Sequence, residues 1–78
     1  MDKYFHYMAY YNKDGKNHVA HGFAHFTTKE EVRCKYSLIT KFLMDKHKVP
    51  FDDVVVATIE PTTKEDFELS KELIGNEN

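Results

Sequence analysis

Apolar residues occupy both parities of the strand-like runs in this chain, so a sheet built from them has two faces to cover rather than one. From Lys3 to Tyr11, Tyr4 and Tyr10 point one way while Phe5, Tyr7 and Tyr11 point the other. From Asp53 to Glu60, Val54, Val55, Val56, Ala57 and Ile59 run almost without interruption, where a strand with one wet face alternates. A helix packed on the sheet hides one face. The second needs either the chain's own C-terminal helix or another molecule.

The size of the chain sharpens that need. Its 78 residues make one domain, and a domain this small buries only about 60% of the surface its unfolded form exposes. Chains of this length often draw extra stability from disulfides, a metal or a partner subunit. Cys34 is the single cysteine, which excludes an internal bridge; it fits a reducing, cytoplasmic setting, the one expected here, and equally a secreted chain without bridges. Met1-Asp2-Lys3 leads into a strand-like run broken by His6, so no secretory leader is expected. Nor does any apolar stretch approach the roughly 18 residues of a membrane span.

The first element is a β-hairpin. Two strand-like runs flank Asn12-Lys13-Asp14-Gly15-Lys16, which reads as a type I turn with Gly15 left-handed in a G1 bulge. A Lys13-Asp14-Gly15 loop pairs Asn12 with Lys16, Tyr7 with His21 and Phe5 with Phe23. One face then carries Tyr4, His6, Met8 and Tyr10 beside His18, Ala20, Gly22, Ala24 and Phe26. The other carries Phe5, Tyr7, Ala9 and Tyr11 beside Val19, His21, Phe23 and His25. The small residues at 20, 22 and 24 make the first face the better seat for a helix. A two-residue Asp-Gly loop would reshuffle both sets.

Thr28 and Glu31 form a capping-box pattern, followed by Val32, Tyr36, Ile39 and Leu43 at helical spacing with Leu38 and Phe42 on one shoulder. This helix is expected to end near Lys46, before Val49-Pro50. Cys34 falls on its outward side. The valine-rich run follows as a third strand, expected to be buried on both sides, and Pro61 is expected to break it. If the first strand is central, the crossover makes the third parallel to it; antiparallel pairing with the second strand is the competing arrangement. Thr62 or Thr63, with Glu65 and Asp66, opens a short second helix carrying Phe67, Leu73 and Ile74, with Gly75 as its stop and residues 75–78 fraying. The expected fold is α+β, in the order β-β-α-β-α, as one domain over residues 1–78 with an ordered core of about 3–74.

His18, His21 and His25 cluster in one strand, but residues four apart on a strand lie about 13 Å apart and cannot share a zinc ion, whose ligand atoms sit about 2 Å from the metal. No metal and no cofactor is expected. There is no phosphate-binding loop or nucleophile elbow, and Asp52 and Asp53 read as solvated acids after a turn, so no enzymatic activity is expected. Net charge is −2 from 11 basic and 13 acidic residues, with the bases around the first helix and the acids toward the tail. That disfavours nucleic acid, although Tyr7, Tyr11 and Phe23 with Arg33, Lys35 and Lys41 offer a single-strand-binding alternative.

The Tyr4-Phe5-His6-Tyr7 strand, the Asp14-Gly15 turn, Gly22-Phe23-Ala24, the capped helix and Val54-Val55-Val56 together resemble small bacteriophage and prophage proteins, over about Tyr4 to Phe67. The resemblance implies a cytoplasmic accessory protein that binds a host component, for instance as an inhibitor. The residues themselves point to protein contact, with a homodimer joined through Phe5, Tyr7, Tyr11, Val19, His21, Phe23 and His25.

Overall fold

A computed structural model describes the backbone of residues 1–77 and the side chains of residues 1–70. Strands β1 (Lys3–Lys13) and β2 (Lys16–Phe26) form the hairpin; α1 (Lys29–Arg33), α2 (Lys35–His47), a single 3₁₀ turn (Phe51–Asp53), β3 (Val54–Thr62) and α3 (Lys64–Glu77) follow. This is the expected α+β order. The sheet runs β2-β1-β3, with β1 central and antiparallel to both neighbours. Neither arrangement expected for the third strand is the one observed. The helical crossover leaves from the end of β2, so it makes β3 parallel to β2, and β1 lies between them.

The turn corrects the hairpin register. Asp14 (φ 56°) and Gly15 (φ 75°) are both left-handed, the signature of a two-residue type I′ loop, whose twist matches that of the strands. Lys13 therefore pairs with Lys16, Tyr7 with Gly22 and Phe5 with Ala24. A one-residue slip turns every β2 side chain over relative to β1. Ala20, Gly22 and Ala24 do share the helix-covered face, but with Phe5, Tyr7, Ala9 and Tyr11 rather than with the other β1 set.

The helical layer starts as its sequence indicated. The Thr28 hydroxyl accepts from the Glu31 N–H at 3.1 Å, and Glu31 Oε1 accepts from the N–H groups of Thr28 (2.9 Å) and Thr27 (2.7 Å). These bonds hold the Glu31 carboxyl below its usual range, the Thr27 amide contributing most. The helix breaks at Cys34 (ψ 19°), whose N–H is shared between Glu30 and Glu31 carbonyls at 3.0 and 3.2 Å. Left-handed Lys48 ends α2 ahead of Pro50. Ile39 and Leu43 of α2 join Phe5, Tyr7 and Ala9 of β1, Phe26, Val49 and Val54 in the buried core.

β3 is an edge strand, not a doubly buried one. A bulge at Ala57 falls between the pairs Ala9 with Val56 and Met8 with Thr58. Val54, Val56 and Ile59 thus face the core, while Val55 is 60% exposed. The unbroken valine run reflects this bulge and an exposed edge valine. Pro61 does not end the strand; it sits within it opposite Phe5, as an edge position permits. Thr63 caps α3 through the Asp66 N–H at 3.1 Å. The helix continues past Gly75, the stop expected for it, to Glu77; Asn78 lies outside the described residues.

Candidate functional site

The seven residues expected at an interface do not lie together. Phe5 and Tyr7 are each only 7% exposed and sit under α2 with half-buried Tyr11. Val19, His21, Phe23 and His25 occupy the opposite face, opposite Tyr10, Met8, His6 and Tyr4 in turn. The chain's own helix therefore covers three of the seven. The other four belong to a surface that also includes His6, Met8 and Tyr10, which a three-residue turn would place on the helix seat. The Asp14-Gly15 dipeptide carried the signal for the correct grouping.

α3 covers one end of this second face. Phe67 packs its ring against Tyr4 (centroids 5.2 Å apart) and His25 (5.9 Å). His25 stacks on Tyr4 at 4.5 Å, and its Nε2 lies 3.0 Å from Asp2 Oδ1. Beyond that end, His6 packs against Phe23 (5.0 Å) and His21 (6.3 Å). Met8 and Tyr10 are more than a third exposed, and Val19 and Val55 are each 60% exposed. A groove of about 490 Å³ runs between α3 and this face, lined by His6, Phe23, Glu60 and Leu69 among others.

β2 is roofed poorly on its inner face as well. α2 lies nearest β3 and reaches the core over β1. Above β2 there is instead a trough: about 250 Å³ between Leu38, Phe42 and Ala24, and about 200 Å³ between Lys46, His47 and Ala20. Tyr7 closes the middle of it, its ring lying against Gly22. Leu38 and Phe42, 39% and 52% exposed, line the outer wall; the helical stripe contained them, but only the position of α2 shows that they face β2 and not the core.

Among the described residues no group of three or more His, Cys, Asp or Glu side chains is placed to hold a metal ion. His18 stacks on Tyr11 at 4.9 Å, and His47 on the same ring at 4.0 Å. Burial, followed by the charges of Lys46, Lys13 and His18, pushes the His47 imidazole below its usual value. Cys34 is exposed at the helix break, and no helix among the described residues is long and apolar enough to cross a membrane. No protein-family profile matches the chain, and no curated protein matches it by sequence.

Proposed function

We propose that this protein is a non-enzymatic accessory protein of a reducing compartment that works through protein contact, and that it self-associates through the side of the sheet centred on β2. The observation that carries this reading is surface area. A monomeric protein of 9.2 kDa exposes about 4,900 Å², whereas this chain exposes 5810 Å². The excess, roughly 900 Å², is close to the ~800 Å² that each partner contributes to a standard stable interface.

β2 is the strand that α2 leaves largely uncovered. Eleven residues long, it gives the core only Phe26. Val19 is exposed on the outer face, Ala20 and Ala24 are only half-buried on the inner face, and its outer edge has no strand partner. The subunit is correspondingly flat, 37 × 32 × 18 Å, with a radius of gyration of 13.0 Å against about 11.5 Å expected for this length.

Light scattering coupled to size exclusion tests the reading. The wild type has a two-subunit mass at micromolar concentration, and Val19→Lys, at a position that contributes nothing to the core, has a one-subunit mass with unchanged circular dichroism. A one-subunit mass for the wild type at every accessible concentration overturns it.

A further inference from the structure

We infer that two copies join edge to edge through β2, forming one continuous six-stranded antiparallel sheet; this rests on the self-association proposed above and specifies its geometry. The two outer edges of the sheet differ in what they present. β3 is interrupted by the Ala57 bulge and carries Pro61, two features that keep other strands from pairing. β2 has neither. It is regularly paired with β1 over all eleven residues, contains no proline, and its only charged side chain other than histidine is Lys16 at the turn. A long, regular, uncharged edge is a template for another strand unless something covers it.

The type I′ turn fixes which backbone groups that edge offers. Lys13 and Lys16 close the hairpin as a hydrogen-bonded pair, and such pairs alternate along an antiparallel ladder. His18, Ala20, Gly22 and Ala24 therefore direct their N–H and C=O groups at β1. Asn17, Val19, His21, Phe23 and His25 direct theirs away from the sheet. Strand addition needs a row of this kind, and these are the residues whose side chains lie on the second face.

A second copy suits the edge because antiparallel pairing of a strand with itself follows from a two-fold axis. An axis at Gly22 sets His21 against Phe23 of the second copy and Val19 against its His25, so no imidazole faces its own symmetry mate. Gly22 meets its counterpart at a close, non-hydrogen-bonded position, where the absence of a side chain lets the backbones approach. The two troughs over β2 then adjoin, with Leu38 and Phe42 of each copy as their walls.

Amide hydrogen exchange followed by NMR reads this geometry directly. In the wild type, the amides of Val19, His21, Phe23 and His25 gain about fivefold protection or more once the total concentration exceeds the dissociation constant about tenfold. Those of His18, Ala20, Gly22 and Ala24 are protected at every concentration. His21→Pro, which removes an outward N–H that the isolated subunit leaves to solvent, abolishes the two-subunit mass. A two-subunit wild type whose outward amides stay unprotected overturns the edge geometry and leaves self-association standing. A one-subunit wild type overturns both.

Discussion

Gly22→Ala tests the packing of β2 against the core most sharply, because its sign depends on one contact. Gly22 has no positive φ, so alanine is allowed by the backbone. The new methyl would lie 2.9 Å from Tyr7 Oη, 3.1 Å from Cζ and 3.3 Å from Cε2. Tyr7 is 7% exposed and wedged among Phe5, Ala9 and the α2 side chains, so its ring cannot swing away freely. Forcing extra volume into such a site costs about 1–3 kcal/mol. Restricting the unfolded chain by replacing glycine offsets about 0.4–1 kcal/mol of this. The net expectation is a loss of about 1–2 kcal/mol, measured by urea denaturation at a protein concentration low enough to keep the subunits apart. In a Tyr7→Phe background the nearest atom is gone, and the cost of Gly22→Ala should fall by about 0.5–1 kcal/mol, a coupling that a double-mutant cycle resolves. If Gly22→Ala is as stable as the wild type, or costs the same with Phe at position 7, then Tyr7 does not roof β2 and the account of the trough fails.

Three further outcomes follow from the same structure. Leu43→Ala, at a position 1% exposed, removes the most buried large side chain and should cost about 2–5 kcal/mol, read from the shift in denaturation midpoint; a loss below 1 kcal/mol would mean that α2 is not seated on β1. Thr28→Ala removes the hydroxyl that accepts from the Glu31 N–H and should cost about 0.5–2 kcal/mol, with lost amide protection confined to the first turn of α1. His47 is held below its ordinary value of 6.5 by burial first and then by Lys46, Lys13 and His18, so the unfolded chain binds this proton more readily than the fold does. Stability from this group is complete above pH 6.5 and declines as pH falls through the lowered folded value; thermal melts from pH 7.5 to 5 should show that slope in the wild type and a shallower one in His47→Gln.

Much of the fold was legible in local chemistry. The Thr28-Glu31 box and the α3 cap, expected at Thr62 or Thr63 and found at Thr63, join groups three residues apart, and the Val49-Pro50 stop is a steric effect between adjacent residues; none needs a tertiary partner. The hairpin was legible as a hairpin, but its register turned on whether Lys13 belongs to the loop. Moving that one residue regrouped the surface, sending Phe5, Tyr7 and Tyr11 under the helix and leaving Val19, His21, Phe23 and His25 opposite. The valine run misled for a related reason. A bulge adds one unpaired residue to a strand, so Val56-Ala57-Thr58 crosses from one phase of alternation to the next and looks continuously buried while lying at an edge.

The amino-acid order settles the element sequence, because capping, turn chemistry and side-chain periodicity act between near neighbours. It also ensures that apolar side chains reach both sides of the sheet, since alternation along an extended chain is a property of the backbone. Where the helices lie over that sheet is a tertiary outcome. α2 sits nearest β3 because the crossover from β2 must span β1 to reach it, and one helix is about 10 Å wide against three strands spaced nearly 5 Å apart. β2 is consequently left with exposed side chains on both faces and a row of outward amides, and this incomplete roof, which no single segment encodes, is the basis for proposing a partner.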